Sequence, residues 1–156
     1  MKASMKSEWT AIYQVAAELT RRDYLVGWVM GNTPEKDLMV ESPKGERFNV
    51  DVKGATFAPR RRDGNPSAHA YPVQSQRLNG VPVKGLYYVF VAIPPVPKEK
   101  CEFAVLSHQQ LLDARRNEDM ESAAAPQPGK ELKEWTTTID HRSLAAHFGR
   151  WNCLPE

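Results

Sequence analysis

Two carboxylates and an ammonium, Asp37, Asp51 and Lys53, fall within one stretch, "EKDLMVESPKGERFNVDVKG" at positions 35–54. The stretch reads as two short strands joined around Ser42-Pro43-Lys44-Gly45, and the turn decides which side chains face each other. A two-residue loop would oppose Glu41 with Glu46 and mix polar with apolar side chains on each face. A three-residue loop has Pro43 and Lys44 in a type I turn and Gly45 left-handed. It opposes Glu41 with Arg47, Val40 with Phe48, Leu38 with Val50 and Asp37 with Asp51. Leu38, Val40, Phe48, Val50 and Val52 then share one face, and Asp37, Met39, Glu41, Arg47, Asn49, Asp51 and Lys53 share the other. This is the expected register.

It brings two carboxylates together at the open end of the hairpin. Opposed Asp side chains raise each other's pKa unless something positive sits between them. A hard divalent cation, magnesium or manganese, suits the position, since magnesium accepts one or two carboxylates together with waters and phosphate oxygens. Lys53, two residues further along the same face, is placed to orient or deprotonate a water or to neutralise charge in a transition state. Metal-assisted phosphodiester hydrolysis is the chemistry such a set serves. The plain alternative is three solvated side chains on the outer face of an amphipathic hairpin. Like charges set opposite each other, with no benefit to the fold, favour chemistry.

The elements that must position these residues can be read from periodicity. Residues 8–22 carry Ile12, Val15, Ala16 and Leu19 at helical spacing, with Ser7 as N-cap and Glu8 in the first turn. "YLVGWVM" (24–30) fits a buried strand leading through "GNTPE" into the hairpin. After Lys53 the chain becomes rich in Gly, Pro and Arg, a long irregular connection with a helical turn near "VQSQRL". "LYYVFVAI" (86–93) is a central strand and "CEFAVL" (101–106) its hairpin partner. Ser107 and Gln110 have capping-box spacing for the helix that follows. Residues 117–134 read as a polar surface loop, and "HRSLAAHFGRW" as a final amphipathic helix built on Leu144, Phe148 and Trp151. The expected architecture is a single α/β domain over residues 1–156, a central mixed β-sheet flanked by helices, in the order α-β-β-β-loop-β-β-α-α.

In this setting the sequence resembles the PD-(D/E)XK nuclease superfamily, the restriction-endonuclease-like fold, and its small Holliday-junction-resolvase-like members. The resemblance rests on Asp37 near the start of one strand, Asp51-Val52-Lys53 on the next, and the order of "AIYQVAAELTRRDY", "LVGWVM", "KDLMV", "FNVDVKG", "LYYVFVAI" and "FAVLSHQQLLDA". It implies that Asp37 and Asp51 ligate metal, that the backbone carbonyl of Val52 is a third ligand, and that Lys53 is the catalytic lysine. It further implies a magnesium-dependent nuclease and, by analogy with resolvase-like relatives, a homodimer. Two positions depart from the pattern. Lys36 rather than proline precedes Asp37. Many relatives carry a metal-holding Glu on the first helix where this chain has Ile12; Glu8, one turn earlier on the same face, is either its substitute or an acid that stabilises the helix N-terminus.

Composition narrows the partners. The 156 residues carry 21 Lys+Arg against 19 Asp+Glu, a net charge of +2, so a nucleic-acid partner must be argued from local charge. Arg60, Arg61 and Arg62 suit phosphate contacts that position a backbone without reading sequence, and fit an ordinary solvated loop equally. Lys44, Arg77 and Lys84 extend the basic surface. DNA is the expected partner; its form, duplex, branched or single-stranded, stays open. His69, His108, His141 and His147 form no motif with one another, and Cys101 and Cys153 lack zinc spacing and read as reduced thiols. No apolar run is long enough to cross a bilayer and no secretory signal opens the chain, so a cytoplasmic protein is expected. A second function stays open: a non-catalytic nucleic-acid-binding or protein-interaction module that keeps the nuclease fold.

Overall fold

The computed structural model describes residues 2–29, 36–56, 70–78, 80–116 and 136–156. Helix α1 (Ala3–Thr20) precedes strands β1 (Leu25–Trp28), β2 (Leu38–Glu41) and β3 (Arg47–Thr56). Strand β4 (Ala70–Gln74) and the one-turn helix α2 (Ser75–Leu78) follow, then β5 (Leu86–Ile93), β6 (Glu102–Ser107) and α3 (His108–Arg116). Strand β7 (Thr136–Asp140) and two 3-10 segments, His141–His147 and Trp151–Cys153, complete the described chain. The central sheet has five strands in the order β1-β2-β3-β5-β6, and β4 pairs with β7 as a separate two-stranded ribbon. β3 and β5 run parallel, the other neighbours antiparallel, so the sheet is mixed as expected.

Two cores sandwich this sheet. On one face the inner stripe of α1, Ala11, Ile12, Val15, Ala16 and Leu19, packs on Leu38, Val40, Phe48, Val50 and Val52 together with Val89, Val91 and Val105. On the other, Tyr88, Phe90, Ala104 and Leu106 meet Tyr71 and Val73 of β4, Leu78 of α2, Leu111 of α3, Ile139 of β7 and Leu144. Burial on both faces is why "LYYVFVAI" is a continuous apolar run and not an alternating one. α1 lies unusually close to β3 at Gly54. A Cβ built there would stand 2.5 Å from the Ala11 methyl and 2.7 Å from the Ser7 carbonyl oxygen, so glycine is required by the helix above it.

Several local expectations are met in detail. The hairpin pairs Leu38 with Val50, Met39 with Asn49, Val40 with Phe48 and Glu41 with Arg47, around a Gly45 at φ +86°. The capping box is reciprocal. Ser107 N–H donates to Gln110 Oε1 (2.8 Å), and Gln110 N–H donates to Ser107 Oγ (3.2 Å). Others need correction. α1 begins at Ala3, not Glu8, with no side-chain cap at Lys2. Ser7 therefore sits inside the helix, where its hydroxyl bonds Thr56 Oγ1 at 2.8 Å, and Glu8 lies past the first turn. The last amphipathic segment is two 3-10 pieces separated by Gly149 at φ +69°, a left-handed conformation that ends a helix. Residues 117–134 lie outside the described residues, and the strand β7 beyond them was not expected.

Candidate active site

The site forms where β2 runs out and β3 continues. Along β3 the backbone groups of alternate residues point to opposite neighbours. Asn49 N–H donates to Gly85 on the β5 side (2.8 Å), while the Val50 carbonyl accepts from Asp37 on the β2 side (3.0 Å). The N–H and C=O of Val52 therefore point toward β2, beyond its last paired residue, Leu38. The Asp37 carboxylate fills that gap: Val52 N–H donates to Asp37 Oδ2 at 2.7 Å. A side chain here completes a ladder that the backbone leaves unfinished.

This changes the expected opposition. Asp37 does not stand as the next rung opposite Asp51. Its N–H bonds the carbonyl of Val50, the residue that already pairs with Leu38, so two consecutive residues face one across the hairpin, as in a bulge. The two carboxylates are still neighbours, and the Asp37 charge is felt at Asp51.

Asp51 differs more sharply from expectation. Its period-two position put it on a solvated polar face, and the outer half of that face is indeed open, with Met39 half exposed and Arg47 exposed. Asp51, however, is only 6 % exposed. The parallel pairing sets it beside Tyr88 and Lys53 beside Phe90, on the face that the second core covers. Burial pushes the Asp51 carboxyl above the ordinary carboxylate range, the ion-paired Lys53 ammonium pulls against it, and the Asp37 charge adds to the rise. The Arg77 guanidinium of α2 also lowers it. The sequence reading put Arg77 on an extended basic surface and not beside Asp51, because nothing local in "VQSQRL" says that this turn folds back over β3.

His108 supports that arrangement. It is 2 % exposed, and Val83 N–H donates to its Nδ1 (3.0 Å), so Nε2 carries the proton and donates to the Arg77 carbonyl (2.8 Å). It ties α3 to the turn that carries Arg77.

A cleft of about 1260 Å³ opens beside these residues, and Ser7, Glu8, Asp37, Val52, Lys53 and Gly54 are among those lining it. Glu8 thus shares the cleft with Asp37 and Lys53. Ile12 points into the core at 5 % exposure and contributes no donor. Lys44 is placed elsewhere: it sits on the hairpin turn, at the opposite end from Asp37, and pairs with Glu156 at 3.0 Å. Arg60, Arg61, Arg62 and His69 lie outside the described residues. Among the described residues no three His, Cys, Asp or Glu side chains gather as a metal-holding group. The oxygen set available is Asp37, Asp51 and the Val52 carbonyl, while Glu8 lines the cleft without forming a three-carboxylate group with the two aspartates. Two carboxylates and a carbonyl are hard ligands that suit magnesium, which retains waters for its remaining positions.

No protein-family model matches the sequence, and no curated protein sequence matches it. The fold does have a counterpart among solved structures. A bacterial homing endonuclease superposes with a TM-score of 0.56 over 98 % of this chain and 91 % of that one, at 13 % sequence identity. The mixed α/β fold read from the sequence is thus one that a nuclease uses. Among the described residues no helix is long and apolar enough to cross a membrane.

Proposed function

We propose that the chain is a metal-dependent nuclease that hydrolyses phosphodiester bonds in DNA, of the PD-(D/E)XK type. The observation that carries the reading is the end of the β2–β3 hairpin. Asp37 is fixed by Val52 N–H, Asp51 is buried against it at an energetic disadvantage, and Lys53 is ion-paired to Asp51 on the wall of an open cleft. A fold with no use for Asp51 would be better served by an apolar residue at that position. The fold shared with a homing endonuclease points the same way.

In this reading Asp37, Asp51 and the Val52 carbonyl would hold magnesium or manganese, and Glu8 lines the same cleft as Asp37. Such an ion, when bound, would supply Lewis-acid chemistry for phosphodiester hydrolysis. The Asp37–Val52 hydrogen bond holds one carboxylate still, and burial keeps bulk water from screening the other. The Lys53 ammonium, positioned by Asp51, neutralises charge that builds on the phosphate or orients the attacking water. A specific observation favours the second reading, a non-catalytic module with the same fold: the helix position that carries the acid in many PD-(D/E)XK nucleases is the buried Ile12.

Calorimetric titration with magnesium and manganese, on wild type and Asp51→Asn, separates the two. The nuclease reading expects binding that Asp51→Asn abolishes, and cleavage that Asp37→Ala and Lys53→Ala each remove while the circular dichroism spectrum is unchanged. Absence of metal binding with and without DNA, or cleavage undiminished in both variants, refutes it.

A further inference from the structure

Two tryptophans and a tyrosine of α1 and β1 stand partly exposed to solvent. Trp9 and Tyr13, one turn apart on α1, are 41 % and 59 % exposed, and Trp28, the last residue of β1, is 40 % exposed. Their ring centroids step from Trp9 to Tyr13 in 6.0 Å and from Tyr13 to Trp28 in 5.1 Å, and half-exposed Met5 extends the ridge one turn earlier. None of the three belongs to the core beneath α1. Large rings left in contact with one another and with solvent are uncommon unless something covers them.

Their place in the fold indicates what that is. Trp28 pairs with Leu38, and the next residue, Val29, donates its N–H to the Asp37 carbonyl at 3.1 Å. Trp9 follows Glu8, which lines the cleft with Asp37 and Lys53. The rings do not themselves line the cleft, but Lys6, three residues before Trp9 on α1, and Asp37, bonded to the residue after Trp28, both do. Cations accompany the ridge: Lys2 and Lys6 are exposed at the start of α1, and the first turn holds no acid. Positive charge at a helix N-terminus opposes the helix dipole, so the fold gains nothing from these lysines. A nucleic-acid strand uses both features, stacking its bases on the rings while its phosphates meet the lysines. A second copy of the chain fits less well, since a symmetric contact through this ridge would bring the lysines of both copies together.

We infer that Trp9, Tyr13 and Trp28 form a stacking platform for unpaired bases of a single-stranded or splayed DNA segment whose backbone enters the Asp37–Lys53 cleft. The inference rests on the nuclease reading and names its substrate class. Its test is fluorescence anisotropy of labelled single-stranded, splayed-end and blunt duplex DNA in EDTA, where no cleavage occurs. Binding is thereby read separately from metal loading, and failure of one reading is distinguishable from failure of the other. Trp9→Ala and Tyr13→Ala each weaken binding of the unpaired forms about tenfold or more and of the blunt duplex less than about twofold, while Trp9→Phe keeps most of the affinity. Equal weakening on all three DNAs, or no weakening on any, overturns the platform. So does a wild-type dimer in sedimentation that Trp9→Ala splits, which would make the ridge a contact between copies of this chain.

Discussion

Replacing Gly54 by alanine adds one methyl group at the point where α1 lies closest to the sheet. The new Cβ falls 2.5 Å from the Ala11 methyl and 2.7 Å from the Ser7 carbonyl oxygen, against ordinary contacts of about 3.5–4.0 Å. Closing that gap requires a shift of about 1 Å, and no rotamer change supplies it, because one obstacle is backbone and the other is a methyl without a torsion that moves it. α1 must therefore lift as a unit from Val50 and Val52, which it covers. Overpacking of this kind costs about 1–3 kcal/mol, and the rigid neighbours place Gly54→Ala in the upper half of that range. For a domain near this size the melting temperature falls by about 2–4 °C per kcal/mol, so a loss of about 4–12 °C is expected. Urea denaturation and thermal melts of Gly54→Ala, Ala11→Gly and the double variant measure it. Ala11→Gly alone costs about 1 kcal/mol of helix propensity but removes one of the two obstacles. The double variant should then be more stable than the sum of its parts by about 0.5 kcal/mol or more. A Gly54→Ala protein within about 0.5 kcal/mol of wild type, or strict additivity in the cycle, would refute the close approach.

Asp51→Asn is expected to stabilise the metal-free protein at neutral pH. A carboxyl whose pKa is raised by folding contributes stability below its unfolded value of about 4 and loses it as pH climbs through the folded value. The variant's advantage should therefore grow from acid toward neutral pH, and added magnesium should narrow it by stabilising wild type alone; melting temperatures across pH, with and without magnesium, check both. His108→Ala should cost about 2–3 kcal/mol in urea denaturation, since it strips a buried ring from two backbone partners. It should also loosen the Arg77 turn, seen as faster amide exchange at residues 76–78.

Much of the site was written locally. Pro43-Lys44-Gly45 set the hairpin register, and that register put Asp37, Asp51 and Lys53 at one end of two strands. Ser107 and Gln110 announced the start of α3 three residues apart. What escaped the sequence depends on partners far along the chain. Alternation along β3 marks Asp51 as outward, and only the return of β4 and α2 over that face makes outward mean buried. β7 pairs with β4 across more than 60 intervening positions, and its threonines resemble the polar stretch before it. The bulge at Asp37 escaped for a smaller reason: a carboxylate that substitutes for a backbone rung leaves no mark in hydrophobic periodicity.

The hydrogen bond from Val52 to Asp37 has a bearing on how related chains should be read. Asp37 has structural employment whether or not catalysis survives, because it finishes the edge of the hairpin. On the proposed nuclease reading, a descendant without that activity would still be selected to keep it, or to exchange it for asparagine. Asp51 has no such refuge. It burdens the fold it sits in, so relaxed selection would erase it first. On that reading, among diverged copies of this chain an aspartate at position 51 is the informative sign of activity, and an aspartate at position 37 is not.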